Sequence, residues 1–271
     1  MTENRITRMK QINIYVGKCF RVFRNEKGWT NLISTVIIVI LICSVTGKDM
    51  FETYSATRSG AFALVSACIW IGIFNSIRSI CKERGIIKRE YRTGLNISSY
   101  VFAHMIFESA LSLMESIIVT LGVFITNFSR IPEEAVFMPV LLEMWISFFL
   151  IIYCSDVLGI LISSIVKSEN TAMTVMPFIL IIQLIMSGMI FELSGFANVL
   201  SRFTVSRWGM AAICNSARVN ELSSLFLTKK VEEYEATAKN LFGHWGLLAI
   251  FIVVYCTLSI IALSFVDKDK R

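Results

Sequence analysis

The sequence predicts an all-α membrane protein: six transmembrane helices, an interfacial amphipathic helix ahead of them, and a partly re-entrant outer segment before the last. Three observations carry this. Hydrophobic residues make up 55% of the 271 and the mean hydropathy is +0.66, above the roughly 45 to 50% apolar content of soluble domains. The apolar residues are gathered into blocks of about 20, the length that crosses a hydrocarbon core of about 30 Å at 1.5 Å per residue. The blocks lack the apolar and polar alternation of barrel strands, which leaves helices as the structures that satisfy their own backbone groups in lipid.

The elements follow in order. In residues 4–27, Met9, Ile12, Val16, Cys19, Phe20 and Phe23 share one face at helical spacing, with Lys10, Lys18 and Arg21 on the other. This reads as a helix lying on the inner leaflet; the alternative is a cytosolic helix packed on a partner. The stretch lacks a compact basic region followed by a small-residue cleavage site, so no removable signal peptide is expected. Uncharged runs predict spans at 30–46, 60–77, 171–191 and 245–266, and two apolar stretches containing acids predict spans at 99–126 and 136–166. Between the second and third spans, Glu83, Arg84, Lys88, Arg89, Glu90 and Arg92 are spaced for a short exposed helix supported by opposite charges three or four apart. It ends near Gly94, and Asn96 or Ser98 caps the helix that follows.

Pro177 and Gly188 permit a kink or break in and after the fifth span. In the extracytoplasmic loop, 192–243, the first half is apolar through Phe196, Val199, Leu200, Phe203, Val205, Trp208, Met210, Ala211 and Ile213, and either dips into the membrane or caps the bundle. Its second half is polar, with Lys229, Lys230, Glu232, Glu233 and Glu235 in a short solvated helical pattern. No internal repeat or low-complexity linker divides the chain, so one permease-sized domain is expected.

The net charge is +6, from 26 Lys and Arg against 20 Asp and Glu. Placing the N-terminus inside puts 17 of the basic residues in cytoplasmic segments and 9 outside, six of these in the long fifth loop, where they weigh little in the positive-inside rule. Both termini are therefore expected in the cytoplasm, and topology rather than nucleic acid accounts for the basic balance. The seven cysteines, at 19, 43, 68, 81, 154, 214 and 256, are scattered, mostly in apolar runs, with no CxxC pair. They read as small buried hydrophobes rather than a disulfide framework.

Glu108, Glu115, Glu143 and Asp156 are the acids inside predicted spans, and charge at membrane depth marks function by default. Glu108 and Glu115 lie two turns apart on one helix face, with His104 one turn before. They suit a proton or cation relay, or a structural or interfacial role. The lack of mid-span Lys or Arg favours the second. With two histidines the chain has no HExxH, and it also lacks GxSxG and GxxxxGK[ST], so neither zinc hydrolysis, an esterase elbow nor a P-loop is expected. Glu133 and Glu134 beside Pro132 read as helix-start chemistry rather than a carboxylate pair. No metal or cofactor is expected in this chain, and any ATP is handled by another.

Three stretches, in order, resemble the membrane domain of ABC exporters of the type-2 permease family, most of all its white-like G subfamily. They are the amphipathic 4–27 segment; Glu83, Arg89, Glu90, Tyr91, Gly94, Ser98, Ser99 and Tyr100 in the second loop; and SGMIF at 187–191 followed by FTVSRWGMAAI at 203–213. The resemblance implies a half-channel pairing with a second copy or a related permease, driven by cytoplasmic ABC ATPase subunits that hold ATP and Mg. By the same analogy Glu83, Arg84, Arg89 and Glu90 lie on the coupling helix that docks on the ATPase. Met189 and Ile190 occupy the place of a hydrophobic valve, and Ile71 and Phe74 approach the substrate path. Arg78 stands where the family has an acid late in the second span, the outer loop lacks paired cysteines, and no fused ATPase is present. A bacterial plasma membrane with a separately encoded ATPase fits these departures. The expected function is a permease subunit moving a hydrophobic or amphipathic substrate outward by alternating access. The alternatives are an ion or proton pathway using the intramembrane acids, and a non-transporting scaffold or sensor.

Overall fold

The computed structural model describes residues 7–26, 28–46, 50–132, 134–191, 193–223 and 231–266. Residues 4–6, Lys27, Glu133, Glu192, Lys229, Lys230 and the basic C-terminal residues lie outside the described residues. Among the described residues the regular structure is helical: α1 (Arg8–Asn25), α2 (Trp29–Val45), α3 (Tyr54–Ser76), a 3-10 turn (Cys81–Glu83), α4 (Arg84–Arg92), α5 (Ile97–Asn127), α6 (Val140–Ile165), α7 (Glu169–Ile185), α8 (Gly195–Ser201), α9 (Val205–Ser216) and α10 (Ala238–Ser264).

Among the described residues four stretches are long and apolar enough to cross a membrane: Tyr54–Arg92, which joins α3 to α4, and α5, α6 and α10. The other two expected spans correspond to α2 and α7, apolar helices of 17 residues each. By length and composition the structure therefore supports four spans, and five if α1 and α2 together form one. The exposed sides of α2 (Ile33, Ile37, Ile40, Leu41) and α10 (Ile250, Val253, Val254, Leu258) are apolar, which suits a lipid surround and would be unfavourable in water.

Helix starts are set by short polar side chains. Thr53, Asn96, Ser168 and Thr237 accept the backbone N–H three residues on, at the heads of α3, α5, α7 and α10, satisfying donors that a first turn leaves unpaired. Asn96, not Ser98, is the cap of α5; the Ser98 hydroxyl donates to the Asn96 side chain at 2.5 Å.

The centre of the bundle is α6, which packs on α3, α5, α9 and α10. Small residues permit its close approach to α3: a Cβ at Gly72 would collide with the Ile152 carbonyl, and one at Gly159 with the Ser76 hydroxyl. The Ser76 hydroxyl also donates to the Asp156 carbonyl at 2.7 Å, a small-residue and hydroxyl contact typical of helices packed in lipid. The apolar half of the loop before α10 folds as α8 and α9. In α9, Val205, Ser206 and residues 209–216 are buried against α3, α6 and α10.

Candidate functional site

The charged segment after α3 is held by neighbours distant in sequence. Ser163 on α6 accepts the backbone N–H groups of Ile80 and Cys81, both at 3.0 Å, fixing the turn that leads into α4. Gly94 ends α4 with φ +107°, while the Gly94 and Leu95 N–H groups return to the carbonyls of Tyr91 and Glu90. This is the pairing of a left-handed glycine cap, with the buried Leu95 as its apolar contact.

The four residues expected on the coupling helix fall into two sets. Glu83, 13% exposed, accepts from Lys18 at 2.7 Å and from the Tyr100 hydroxyl at 2.9 Å. Glu90 accepts from the Tyr15 hydroxyl at 2.8 Å. Arg84 donates to the carbonyls of Ser164 and Val166 at the end of α6, at 2.8 and 3.0 Å. Arg89 alone of the four is exposed, on a face with Ile86 and Arg92. Ile87 is fully buried on the opposite side with Ile80, Tyr100 and Ile160. Three of the four expected residues thus tie α4 to α1 and α6, and one points away.

Helix α1 is a full part of this tie. Tyr15 meets Tyr100 edge-on at 5.3 Å, and Phe20 and Phe23 meet Phe107 at 5.2 and 5.7 Å, while Met9 and Ile14 remain exposed. The amphipathic helix therefore packs on α5 and still presents apolar side chains outward. Lys18 belongs to its inward set because Glu83 draws it in.

The acids inside the bundle have mostly uncharged partners. Glu115 accepts from the Asn75 amide at 2.9 and 3.0 Å and from the Thr35 hydroxyl at 3.2 Å. Asp156 accepts from Ser112 at 2.5 Å. Glu143, in the first turn of α6, accepts the backbone N–H groups of Phe137 and Met138 at 2.6 and 2.8 Å and so anchors the preceding loop. Glu143 Oε2, Asp156 Oδ1 and Glu108 Oε2 are buried without a hydrogen-bond partner among the described residues; of these three acids, Glu108, 2% exposed, is the one that lines a cleft.

Beyond α7 the chain turns at Gly188 (φ +74°), whose carbonyl accepts from Arg58 at 2.8 Å. Met189 packs on the core and Ile190 is half exposed. Burial pushes the nearby Tyr234 phenol upward against the opposing pull of Arg58. Ile71 lies in the core, and Phe74 is half-buried with the Arg78 guanidinium 5.7 Å from its ring centroid. An apolar groove of about 440 Å³ runs between α2, α3 and α7, walled by Ile38, Ile42, Ile69, Trp70 and Leu180. Ile71, Phe74, Met189 and Ile190 are not among its walls; the α3 face that lines it carries Ile69 and Trp70 instead.

A second, more polar cleft of about 660 Å³ lies between α1, the end of α3 and α5, with Lys18, Cys19, Asn75, His104 and Glu108 on its walls. Tyr15, Asn75 and Arg58 went unnoticed in the sequence, and Lys18 was read only as part of a polar face, because nothing local distinguishes a side chain whose partner lies 40 or more residues away. Among the described residues no group of three or more His, Cys, Asp or Glu could hold a metal ion.

Compared with known proteins, residues 10–221 match the sequence model of a family described as ABC-2 type transporter. A Mycobacterium tuberculosis ABC transporter ATP-binding/permease protein is 26% identical over 189 residues, which cover 69% of this chain and 22% of that protein. The chain thus spans 22% of the length of the relative it matches.

Proposed function

The chain belongs to the ABC-2 type transporter family and is a multi-pass membrane subunit of an ABC transporter, and from that premise we propose that it is an exporter permease driven through α4. In this reading a cytoplasmic ABC ATPase subunit binds ATP and Mg, and the ATPase docks on the exposed face of Ile86 and Arg89. The permease pairs with a second copy or a related permease in a bacterial plasma membrane, with both termini cytoplasmic. It moves a hydrophobic or amphipathic substrate outward past the turn at Met189 and Ile190. The family's white-like G branch supplies the pattern for these assignments.

The observation that carries the reading is the division of labour on α4. Glu83, Arg84 and Glu90 bind it to α1, α5 and the end of α6, so a push on its free face is transmitted to those helices together rather than absorbed by a loose loop. Packed elements with a few fixed ties shift as units. The uncharged partners of Glu115 and Asp156 support a structural role for these acids over an ion pathway.

The test is a proteoliposome assay of the permease with its ATPase subunit. The double variant Ile86→Ala/Arg89→Ala is expected to lower permease-stimulated ATP hydrolysis at least about fivefold, the order seen when an interface anchor is truncated, with insertion unchanged. Full stimulation by a correctly inserted double variant would remove α4 as the docking face.

A further inference from the structure

We propose that the cleft between α1, α3 and α5 is a binding site for a primary ammonium group carried on an apolar body, with Glu108 as its anion. Three observations meet there. The Glu108 carboxyl is 2% exposed, lies on the cleft wall, and leaves Oε2 without a donor among the described residues. Such a buried acceptor favours a ligand that brings a donor, above all a charged one.

Three basic side chains line the cleft, Lys18, Arg78 and Lys82, and each has another partner: the Arg78 guanidinium lies 5.7 Å from the Phe74 ring centroid. Lys18 pairs with Glu83 at 2.7 Å and Lys82 with Glu26 at 2.6 Å, so the cation for Glu108 is left to come from outside. The third observation is aromatic and apolar lining: Phe23 and Phe107, in mutual contact at 5.7 Å between centroids, and Leu111 share the cleft with Glu108. An ammonium group has three donors and no acceptor and is attracted to aromatic faces, so a carboxylate beside two phenylalanines is a matched receptor for it. Asn31 and Thr30 on the wall offer oxygen acceptors for the remaining donors.

At about 660 Å³ the cleft has the size of a small-molecule site. A divalent metal is a poorer fit, because no group of three or more metal-ligating side chains forms among the described residues. The amine has two sources, a membrane aminolipid or a soluble cationic amphiphile. The site rests on the transport reading only for the side of the membrane from which the ligand enters.

The experiment uses the full chain in phosphatidylcholine nanodiscs, without ATPase, titrated with dansylcadaverine, a primary ammonium on an aromatic body. Saturable fluorescence enhancement is expected, with affinity lowered at least about tenfold in Glu108→Gln and no binding of the N-acetylated probe. Cys19→Phe, which narrows the cleft without changing charge, is expected to block binding as well. Thermal unfolding of each variant in the same discs separates loss of the site from loss of the fold, and Cys19→Phe carries the test if Glu108→Gln fails to fold. Competition when roughly a third of the lipid is phosphatidylethanolamine assigns the amine to the membrane; its absence assigns it to soluble amphiphiles. Absence of saturable binding by the unaltered chain, equal affinity in folded Glu108→Gln, or equal binding of the acetylated probe would overturn the site. Each would leave the transport reading standing, since no ATPase takes part.

Discussion

The two ends of the bundle hold a short helix with different balances of burial and polar contact. At one end α4 lies on the surface, charged, tied by Lys18, Tyr15, Tyr100 and the end of α6. At the other, α9 lies inside, with residues 209–216 buried against α3, α6 and α10. It has polar ties as well, since Arg207 pairs with Glu233 and bonds Asn198, the Ser206 N–H donates to Gln183 at 3.0 Å, and Asn215 donates to the Glu235 carbonyl at 2.6 Å, but burial on three sides dominates. Polar ties leave a helix free to offer its outer face to another protein, whereas burial on several sides makes α9 part of the core. On the proposed coupling role of α4, the difference separates an element that transmits force from one that sets shape.

A buried charge on α9 is the strongest way to break this contrast. Ala212 is fully buried beside Leu241 and Trp245, and Ala212→Asp would place a carboxylate there without a cation. An unpaired buried charge costs about 3–5 kcal/mol, a large share of a typical stability of about 5–15 kcal/mol. The variant is expected to aggregate or unfold well below the unaltered chain in a detergent thermal-stability assay. A midpoint within a few degrees would mean that α9 is wet and not part of the core.

A middle-sized effect is expected at the α4 end. Glu83→Ala removes the acceptor for both Lys18 and Tyr100, and leaving a largely buried hydroxyl unsatisfied costs about 1–3 kcal/mol. Tyr15→Phe removes one hydrogen bond to Glu90 and keeps the ring contact with Tyr100, so about 0.5–1.5 kcal/mol is expected. Limited proteolysis after Arg84 to Arg92 reads the loosening directly. The order Glu83→Ala above Tyr15→Phe is the outcome to check, and its reversal would put the main tie of α4 at Glu90.

The parts of this contrast legible in the sequence are those that lipid dictates. The uncharged runs at 30–46, 60–77 and 245–266 fall on α2, α3 and α10, because burial in hydrocarbon requires continuous apolar composition. Their starts were less legible. Helix α3 begins at Tyr54, through Ser55, Thr57 and Arg58, since the Thr53 cap supports a polar first turn that a hydropathy window passes over. Helix α7 stops at Ile185, short of the expected 191, and the left-handed Gly188 turn follows. The apolar half of the loop before α10 was visible as composition, but not its division into the exposed Phe196, Val199, Leu200 and Phe203 and the buried α9. The division of α4 into an anchored and a free face was not, because it depends on Lys18, Tyr15 and Tyr100, and pairs 17 to 75 residues apart leave no local periodicity. Glu108 was visible as an intramembrane acid, but its lack of a partner depends on how α1 roofs the cleft.

The smallest structural effect carries the sharpest functional one. Arg89 is exposed on the outer face of α4, and exposed substitutions away from caps and cores usually change stability by within about 0.5 kcal/mol. Arg89→Ala should therefore leave the unfolding midpoint of the permease where it was. If the ATPase docks on this face as proposed, the guanidinium is well suited to grip a carboxylate or a carbonyl cluster there, and truncation should raise the ATPase concentration needed for half-maximal stimulation. Tyr15→Phe should do the reverse, shifting the midpoint while leaving ATPase affinity nearly intact, because the docking face is untouched. If the two variants instead move both readouts together, α4 has no separable faces, and the contrast between a surface helix that transmits force and a buried helix that sets shape fails at its functional end.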